Sequence, residues 1–432
     1  MSPRSRRPTA LRPGAARLLI ALLCALALAL SAVPTAWAQG APGGLAALQA
    51  DLGHQLALGG PYDGAYVYDL TTKQALFSER ATTLRPPASV EKLYTSTTAL
   101  ELMGSSATLA TTVAGFGHLA LGGIWEGSLY LRGGGDPTFG SSSFIRSHYG
   151  GVGASATALV EQLVHLDGIH HVTGSIYGDE SWFDSLRGEP SSDYAPDPFL
   201  EGTLSGLAFN RGAVGSERGA HAPAAYAARE LWGALKRDGV SIRGSSAAAT
   251  TPPGAILLAQ VSSPPLSALL GLMLPPSDNF FAEMLVKDLG AFYGGAGTTS
   301  AGAAVVRRTI ASVFGLHPHV VDGSGLSEAD KTSPYEVTDL LAGLAPTSVG
   351  SVLRGDLAIA GRTGTLATRM RDTGAAGRCQ AKTGTLTGAS NLAGYCRAAD
   401  GHTLAFAIFT DAISTELAHI LQDHMTITIA DY

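Results

Sequence analysis

The chain has 432 residues, of which 45% are hydrophobic and 15% are charged. This length predicts two or three domains, and the composition predicts a folded protein rather than a disordered one. The first 38 residues contain five Arg and no Asp or Glu, which leaves 24 basic and 35 acidic residues and a net charge of −11 in the rest of the chain. This acidic balance excludes nucleic acid as an expected partner, because nucleic-acid binding depends on clusters of Lys and Arg.

The first 38 residues have the pattern of a cleaved export signal. Five arginines precede an apolar run, Leu18–Ala32, in which Ser31 is the one polar residue, and Ala36-Trp37-Ala38 has the small-x-small spacing of a signal-peptidase site. The run is shorter than the roughly 20 residues of a transmembrane helix. We therefore expect an exported protein, periplasmic or extracellular, with no transmembrane anchor after cleavage. An uncleaved anchoring segment is the alternative.

The hydrophobic pattern next predicts a β-hairpin and a helix. The hairpin strands are Ala65–Leu70 and Gln74–Phe77, and the helix is Ser89–Met103, which follows two prolines. From about residue 110 the sequence pattern changes and predicts short, glycine-rich strands. In that stretch we predict strands at 127–132, 171–178 and 256–261, and helices near 154–166 and 224–235.

Helical spacing returns after the next pair of prolines, with helices predicted at about 266–273, 279–289 and 299–314. The last part predicts strands at 377–382, 391–397 and 403–410 and a closing helix at 414–425. Helices and hairpins in this order predict an α/β fold in which helices flank an antiparallel sheet. We predict an export signal at 1–38, a first part of this domain at 39–108, a mainly β inserted region at 109–261, and a second part of the domain at 262–432.

Ser89 and Lys92 form a Ser-x-x-Lys motif at the start of the predicted helix. Residues three apart share a helix face, so the lysine amine can take the serine proton and make the hydroxyl a nucleophile. A lysine acts as a base only when its pKa falls, which burial and a second cation both favour. Lys92 is the only one of the six lysines with a Ser three residues before it. An ordinary helix-capping serine is the alternative interpretation.

Ser277, Asp278 and Asn279 follow two prolines and precede a helical pattern. This places them on a loop between two helices, where Ser277 can relay a proton to a leaving amine and Asn279 can hydrogen-bond Lys92 and a substrate backbone. A simple N-cap, in which Ser or Asp satisfies the first helical turn, is the alternative.

Lys382, Thr383, Gly384 and Thr385 lie on a predicted strand near the C-terminus. A strand edge can pair with an extended peptide, while the lysine and the two threonine hydroxyls bind its terminal carboxylate. The glycine lets a substrate approach the backbone. The backbone N–H groups of Ser89 and Thr385 are the expected oxyanion hole.

A near-copy of this last motif, Arg362–Thr365, is a competing candidate. Arginine does not readily give up or accept a proton, and only the later copy leads into the strand predicted at 391–397. We therefore assign the function to Lys382. A surface hairpin edge is the alternative for either copy.

Two cysteines, Cys379 and Cys396, lie outside the predicted export signal and flank a predicted hairpin turn near Thr387-Gly388. A disulfide between them and two buried free thiols are both compatible with this pattern. No metal site is expected from the cysteine spacing, nor from His165, His170 and His171, which are more typical of a solvated turn.

The three motifs in this order resemble the low-molecular-mass class C penicillin-binding proteins, the peptidase family S13. The distance of 188 residues from Ser89 to Ser277 is similar to that in this family, which carries extra domains inserted there, and the Gly134–Thr138 and Asp322–Ser327 segments also resemble the family. The resemblance implies a penicillin-binding transpeptidase/β-lactamase-like domain and D-Ala-D-Ala carboxypeptidase or endopeptidase activity. The implied substrates are peptidoglycan stem peptides, the implied inhibitors are β-lactams, and no cofactor or metal is implied.

One departure from the family concerns the residue after Gly-Leu-Ser, where members often have an Arg that binds a substrate side chain and this chain has Glu328. The preference for the substrate side chain is therefore left open. A β-lactamase or esterase on the same scaffold is the alternative activity, and a non-catalytic cell-wall-binding protein is the alternative from another class.

Overall fold

The computed structural model describes residues 44–213 and 221–432, so the predicted export signal lies outside the described residues. None of the helices in these two ranges is long and apolar enough to cross a membrane. In chain order the strands are β1 (Gly64–Asp69), β2 (Gln74–Glu79), β3 (Ala110–Ala120), β4 (Ile124–Arg132), β5 (His171–Val172), β6 (Ile176–Asp179), β7 (Ser241–Ile242), β8 (Ser246–Ala248), β9 (Ile256–Ser262), β10 (Ala358–Ile359), β11 (Cys379–Leu386), β12 (Ala389–Arg397) and β13 (Thr403–Asp411).

The described residues form both α-helices and shorter helical turns. The α-helices are Leu45–Gly59, Lys92–Met103, Ser142–Tyr149, Ala156–Glu161, Pro223–Arg237, Leu266–Met273, Asn279–Tyr293, Thr299–Phe314, Pro334–Leu344, Ser348–Gly355 and Thr415–Asp431. Shorter helical turns are Ala88–Glu91, Pro190–Ser192, Pro198–Leu200, Asn210–Ala213 and Gly364–Leu366, and a π-helical turn, Gln162–Leu166, continues one α-helix.

A six-stranded antiparallel sheet combines strands from both ends of the described chain, in the order β10-β11-β12-β13-β1-β2. Alternate residues of β13 face different cores. Phe406 and Ile408 pack in a cluster with the helices Leu45–Gly59 and Thr415–Asp431, while Ala407 and Phe409 pack in a cluster with Lys92–Met103 and Asn279–Tyr293. Helices therefore cover both faces of this sheet, as the α/β pattern predicts.

A second sheet is built from β3 to β9, all of which fall between Ala110 and Ser262. Its pairs β3–β4 and β3–β9 are antiparallel, whereas β4–β5, β4–β6, β5–β7 and β6–β8 are parallel. It has its own core, in which Leu231 of the helix Pro223–Arg237 packs against strand residues such as Leu129. The mainly β insertion predicted here therefore also carries helices, and its outer boundaries at 109 and 261 stay a prediction.

Several elements differ from the sequence prediction for local reasons. The predicted strand at 171–178 is two short strands, and between them the backbone N–H of Gly174 donates to the carbonyl of Gly127 at 2.8 Å. The helices Leu45–Gly59, Ser142–Tyr149, Pro334–Leu344 and Ser348–Gly355 were not predicted. One of them has a capping-box signal, since Ser333 Oγ accepts a hydrogen bond from the backbone N–H of Glu336 at 3.2 Å.

Candidate active site

Ser89 lies on a helical turn that immediately precedes a longer helix. The turn Ala88–Glu91 has 3-10 geometry, and the α-helix begins at Lys92. Side chains three residues apart are aligned in a 3-10 turn, and Lys92 Nζ lies 2.9 Å from Ser89 Oγ. Lys92 is fully buried and Ser89 is half-buried. Ala88 has a φ of 49°, a strained value for a non-glycine residue that is typical of functional sites.

Two further oxygens surround the amine of Lys92. Its Nζ donates to Asn279 Oδ1 at 2.7 Å and to the backbone carbonyl of Ser324 at 2.7 Å. A neutral amine has two N–H groups and one lone pair, so these two acceptors leave the lone pair for the proton of Ser89. Burial lowers the pKa of Lys92 to about 8, although the carboxylates of Asp322 and Glu283 act in the opposite direction.

Ser277 and Asp278 lie between two helices, as predicted, and Asn279 is the first residue of the second helix. Ser277 has a φ of 67°, and Asp278 caps the next helix by accepting from the backbone N–H of Phe281 at 3.0 Å. The predicted site and the capping alternative are therefore both present in one segment, because different residues carry them. Asp278 also forms an ion pair with Arg211, and Asn279 Nδ2 donates to the carbonyl of Phe199 at 2.9 Å.

Lys382 lies on β11, and its side chain extends from the sheet to Ser277. Its Nζ donates to Ser277 Oγ and to the carbonyl of Thr383, both at 2.7 Å. Burial, and then repulsion by Lys92, lowers the pKa of Lys382 well below its ordinary value. The structure thus brings together the side chains of Ser89, Lys92, Ser277, Asn279 and Lys382.

Strand β11 passes close to the serine turn at a glycine. A Cβ atom on Gly384 would lie 2.6 Å from the carbonyl oxygen of Pro87 and 3.0 Å from the backbone nitrogen of Ser89, so no larger residue fits there. Asn391 on β12 holds the same turn by donating to the carbonyls of Pro86 and Pro87 at 2.9 and 2.8 Å. This contact was not predicted, and nothing in the local sequence indicates it.

The outer edge of β11 is open next to the serine. β10 pairs only with Gln380 and Ala381, and among the described strands none pairs with the edge of β11 that follows. Thr383 is almost fully buried, whereas Thr385 is exposed. A cavity of about 430 Å³ lies beside Thr385 and is also lined by Asp197, Phe199 and Leu326. This arrangement leaves room for an extended peptide beside β11.

The competing motif Arg362–Thr365 lies next to the site rather than outside it. It forms a turn, not a strand, and Arg362 is exposed. Thr365 Oγ1 accepts from Thr383 Oγ1 at 2.8 Å, and the backbone N–H of Thr365 donates to the carbonyl of Pro275 at 3.0 Å. The near-copy therefore joins β11 to the loop that carries Ser277, a role that its sequence did not reveal.

The two cysteines occupy directly opposed positions on β11 and β12, and the structure joins Cys379 and Cys396 as a disulfide. Of the two alternatives left open by the sequence, the structure therefore has the bonded one. Glu328 is exposed. Within residues 44–213 and 221–432, no group of three or more His, Cys, Asp or Glu is arranged to hold a metal ion.

The sequence of this chain is similar to the sequences of D-Ala-D-Ala carboxypeptidases. Residues 45–198 and 201–432 match the family described as "D-Ala-D-Ala carboxypeptidase 3 (S13) family". The chain is 30% identical to a D-alanyl-D-alanine carboxypeptidase of Actinomadura sp. (strain R39), over 87% of this chain and 82% of that protein. It is 29% identical to carboxypeptidase DacB of Mycolicibacterium smegmatis, over 80% of this chain and 75% of that protein.

Solved structures share the fold. Penicillin binding protein 4 of Haemophilus influenzae matches with a TM-score of 0.72 and 21% identity, over 87% of this chain and 97% of that chain. A penicillin G-acylated predatory endopeptidase of Bdellovibrio bacteriovorus, in complex with an immunity protein, matches with a TM-score of 0.52 and 18% identity, over 84% and 90% of the two chains.

Proposed function

Because the chain belongs to the D-Ala-D-Ala carboxypeptidase 3 (S13) family, we propose that it hydrolyses peptides ending in D-Ala-D-Ala through an acyl-enzyme on Ser89. The substrates in this proposal are peptidoglycan stem peptides, with carboxypeptidase or endopeptidase action according to whether the leaving amine is free D-Ala or belongs to a crosslink. The observation that carries the proposal is the 2.9 Å contact between Lys92 Nζ and Ser89 Oγ, in which a buried amine faces an accessible hydroxyl.

In the acylation step, neutral Lys92 accepts the proton of Ser89 as the serine oxygen attacks the penultimate D-Ala carbonyl. The pKa of Lys92, lowered by burial to about 8, supplies an appreciable fraction of neutral amine near neutral pH. The backbone N–H groups of Ser89 and Thr385 stabilise the negative charge on the carbonyl oxygen, and the close approach at Gly384 keeps their two segments adjacent.

The leaving amine needs a proton as the C–N bond breaks. Ser277 donates its hydroxyl proton to that nitrogen, and Lys382, hydrogen-bonded to Ser277 Oγ at 2.7 Å, replaces it. Before deacylation Lys92 releases to solvent the proton that it took from Ser89, and Lys382 regains a proton from solvent. Neutral Lys92 then accepts a proton from the water that attacks the ester on Ser89, and this proton passes to Ser89 Oγ as the ester bond breaks. Serine is regenerated and the shortened peptide is released.

Substrate binding uses the open edge of β11. An extended peptide pairs with the backbone after Ala381, and its terminal carboxylate accepts hydrogen bonds from the hydroxyls of Thr383 and Thr385 near the cation of Lys382. The Thr383 hydroxyl exchanges its hydrogen bond to Thr365 Oγ1 for the one to the carboxylate. The cavity beside Thr385 takes the part of the peptide before the scissile bond.

The experiment is covalent labelling with a fluorescent penicillin, followed by mass spectrometry of the labelled peptide, together with an assay of D-Ala release from a synthetic peptide ending in D-Ala-D-Ala. We expect label on Ser89, slow loss of that label, and measurable D-Ala release. Ser89→Ala is the control, and it should lose both labelling and release, by as much as 10⁶-fold in kcat, which is roughly the effect of removing a serine nucleophile.

Other outcomes would contradict the proposal in identifiable ways. Label on another residue contradicts the assignment of Ser89. Rapid turnover of penicillin without D-Ala release indicates a β-lactamase, and full activity of Ser89→Ala indicates that the reaction occurs elsewhere. A crosslinked muropeptide dimer as the second substrate separates endopeptidase from carboxypeptidase action.

We also infer that the protein is exported and that residues 1–38 are removed. The support is the basic start, the apolar run Leu18–Ala32 and the Ala36-Trp37-Ala38 spacing. An oxidising compartment outside the cytoplasm also suits the disulfide between Cys379 and Cys396. N-terminal sequencing of the protein from fractionated bacteria tests this, with Gln39 expected as the first residue.

A further inference from the structure

The segment Asp322–Ser327, called here the glycine loop, lies between the serine turn and the helix Asn279–Tyr293. Gly325 has a φ of 81°, and a Cβ atom there would lie 1.9 Å from the carbonyl oxygen of Ala88. A Cβ atom on Gly323 would lie 2.5 Å from the carbonyl oxygen of Ala282. The backbone of the glycine loop therefore packs directly against both elements, and one of its carbonyls, that of Ser324, contacts Lys92.

Two buried carboxyl groups hold the glycine loop through its backbone N–H groups. Glu283 Oε1 accepts from Gly323 at 2.9 Å and from Ser324 at 2.8 Å. Asp322 accepts from Gly325 at 2.6 Å and from Ser327 at 2.8 Å. Glu283 and Asp322 are both fully buried, so the loop is fixed by hydrogen bonds in a site shielded from water.

Glu283 lies one helical turn after Asn279, on the same face of the helix. The helix Asn279–Tyr293 thus reaches Lys92 twice. It does so directly through Asn279 Oδ1, at 2.7 Å, and indirectly through Glu283, which binds the backbone N–H of Ser324, the residue whose carbonyl is the second acceptor of Lys92. The next N–H, that of Gly325, donates to Asp322 at 2.6 Å. Both N–H groups of the neutral amine are then directed away from Ser89.

We propose that Glu283 is a positioning residue for the acylation of Ser89. It orients the Ser324 carbonyl toward Lys92, which aims the amine lone pair at Ser89, and its negative charge favours the protonated form of Lys92. The inference rests on the proposed role of Lys92 as the base. It assigns to the glycine loop, and to a glutamate that does not touch the substrate, a part in setting the pH at which the enzyme works.

The charges that act on Lys92 come from several elements. The carboxylates that favour its protonated form are Asp322, Glu283, Asp278 and Glu91, and Lys382 is the neighbouring cation. Glu283 in turn faces Asp322 and Glu189, and its own pKa is raised to about 8 by burial and by Asp322. Glu283 and Lys92 therefore change charge in the same pH range, and their titrations are linked.

Two substitutions of Glu283 separate orientation from charge. Glu283→Gln keeps the acceptor oxygen and removes the negative charge. Glu283 is only partly ionised where Lys92 titrates. Removal of its charge should therefore move the rising limb of the acylation rate against pH to lower pH, by less than the roughly one unit that a fully ionised neighbour would cause. Its maximal rate should stay within about threefold of the unmodified enzyme, a factor worth less than one ordinary hydrogen bond.

Glu283→Leu removes the acceptor as well. The glycine loop then loses two hydrogen bonds, and we expect the maximal acylation rate to fall about 100-fold, the effect of a misplacement of about 1 Å in an active site. The measurement is the pseudo-first-order rate of labelling by a fluorescent penicillin, followed across the pH range, with thermal unfolding recorded for each variant.

Asp288→Asn is the matched control. Asp288 is a buried carboxyl group on the same helix that accepts from Trp182 Nε1 at 3.0 Å and has no contact with the glycine loop. This variant should keep both the maximal rate and the pH limb. An unshifted limb in Glu283→Gln overturns the proposal, whether or not Glu283→Leu folds. Failure of the unmodified enzyme to be labelled at Ser89 would instead contradict the proposed function.

Discussion

Two segments of this chain have nearly the same sequence and very different environments. Lys382–Thr385 lies on strand β11, and its lysine is fully buried against Ser277. Arg362–Thr365 forms a turn, and its arginine is exposed. The two segments even touch, through the hydroxyls of Thr383 and Thr365.

The comparison shows that the position of a Thr-Gly-Thr sequence in the fold, and not the sequence itself, decides its role. In β11 the backbone is fixed by pairing with β12, so the side chain of Lys382 is held beside Ser277. Burial there lowers the pKa of Lys382. In the turn, the arginine stays in water and its threonine supports the strand. We therefore assign a part in the proposed reaction to Lys382–Thr385, and a structural part, the support of β11, to Arg362–Thr365.

The largest difference between the two segments should appear when each cation is replaced by Met. Lys382→Met removes the group that, in the proposed mechanism, supplies a proton to Ser277, and we expect the rate of D-Ala release to fall by 10² to 10⁴-fold, roughly the range for general acid–base groups. Arg362→Met should change that rate by less than about twofold, because solvent-exposed charges contribute little.

The measurement is kcat/KM on a D-Ala-D-Ala peptide for both variants, with circular dichroism to verify folding. Equal losses in the two variants would contradict the distinction between a chemical and a supporting segment. A larger loss in Arg362→Met would reverse the assignment.

A smaller but still large effect is expected at Gly384. In Gly384→Ala the added carbon collides with the carbonyl of Pro87, so β11 must move away from Ser89 and the expected oxyanion hole widens. We expect penicillin acylation to slow about 100-fold. Gly388→Ala is the control. It lies in the turn of the same hairpin, with a φ of 79° and nothing within 4 Å of the added carbon, and should affect stability but not acylation.

Stopped-flow or gel-based labelling rates, together with melting temperatures, distinguish these two variants. If Gly384→Ala is acylated as fast as the unmodified protein, the close approach of β11 to the serine turn does not contribute to the reaction.

The smallest effect should come from the contact between the two segments. Thr365→Val keeps the shape of the side chain and removes the hydroxyl that accepts from Thr383 at 2.8 Å. Thr383 then no longer gives up a hydrogen bond worth about 1 kcal/mol when it donates to the substrate carboxylate, so KM for the peptide should fall about fivefold with little change in kcat. Steady-state kinetics measure both constants, and a fall in kcat alone would contradict a role in binding.

Much of the site was predictable because its signals are local. Ser89 and Lys92 are three residues apart, so helical geometry alone brings them together. The loop position of Ser277 follows from two prolines before it and a helical pattern after it. The hairpin of β11 and β12 was predicted from its turn, and with it the opposition of Cys379 and Cys396. The antiparallel sheet with flanking helices follows from the same alternation.

The remaining parts depend on backbone atoms or on distant partners. The Ser324 carbonyl contacts an amine 232 residues away, and every residue type has the same carbonyl, so no side-chain pattern marks it. Asn391 donates to the backbone carbonyls of Pro86 and Pro87, 305 and 304 residues away, and no side-chain pattern marks these carbonyls either. The parallel pairs of the second sheet were missed because four of the strands that form them, β5 to β8, are only two to four residues long, too short for a period to appear.

The sequence by itself determined which side chains are available for chemistry and which of them are neighbours along a helix or hairpin, because those relations depend on the dihedral angles of a few adjacent residues. The tertiary structure alone decided which Thr-Gly-Thr segment is buried and which backbone carbonyl accepts a hydrogen bond from the amine of Lys92. It also decided that Glu283 binds the segment that carries this carbonyl. These features arise from packing between elements far apart in the chain, where burial sets the pKa of each group and only the folded protein fixes the distances.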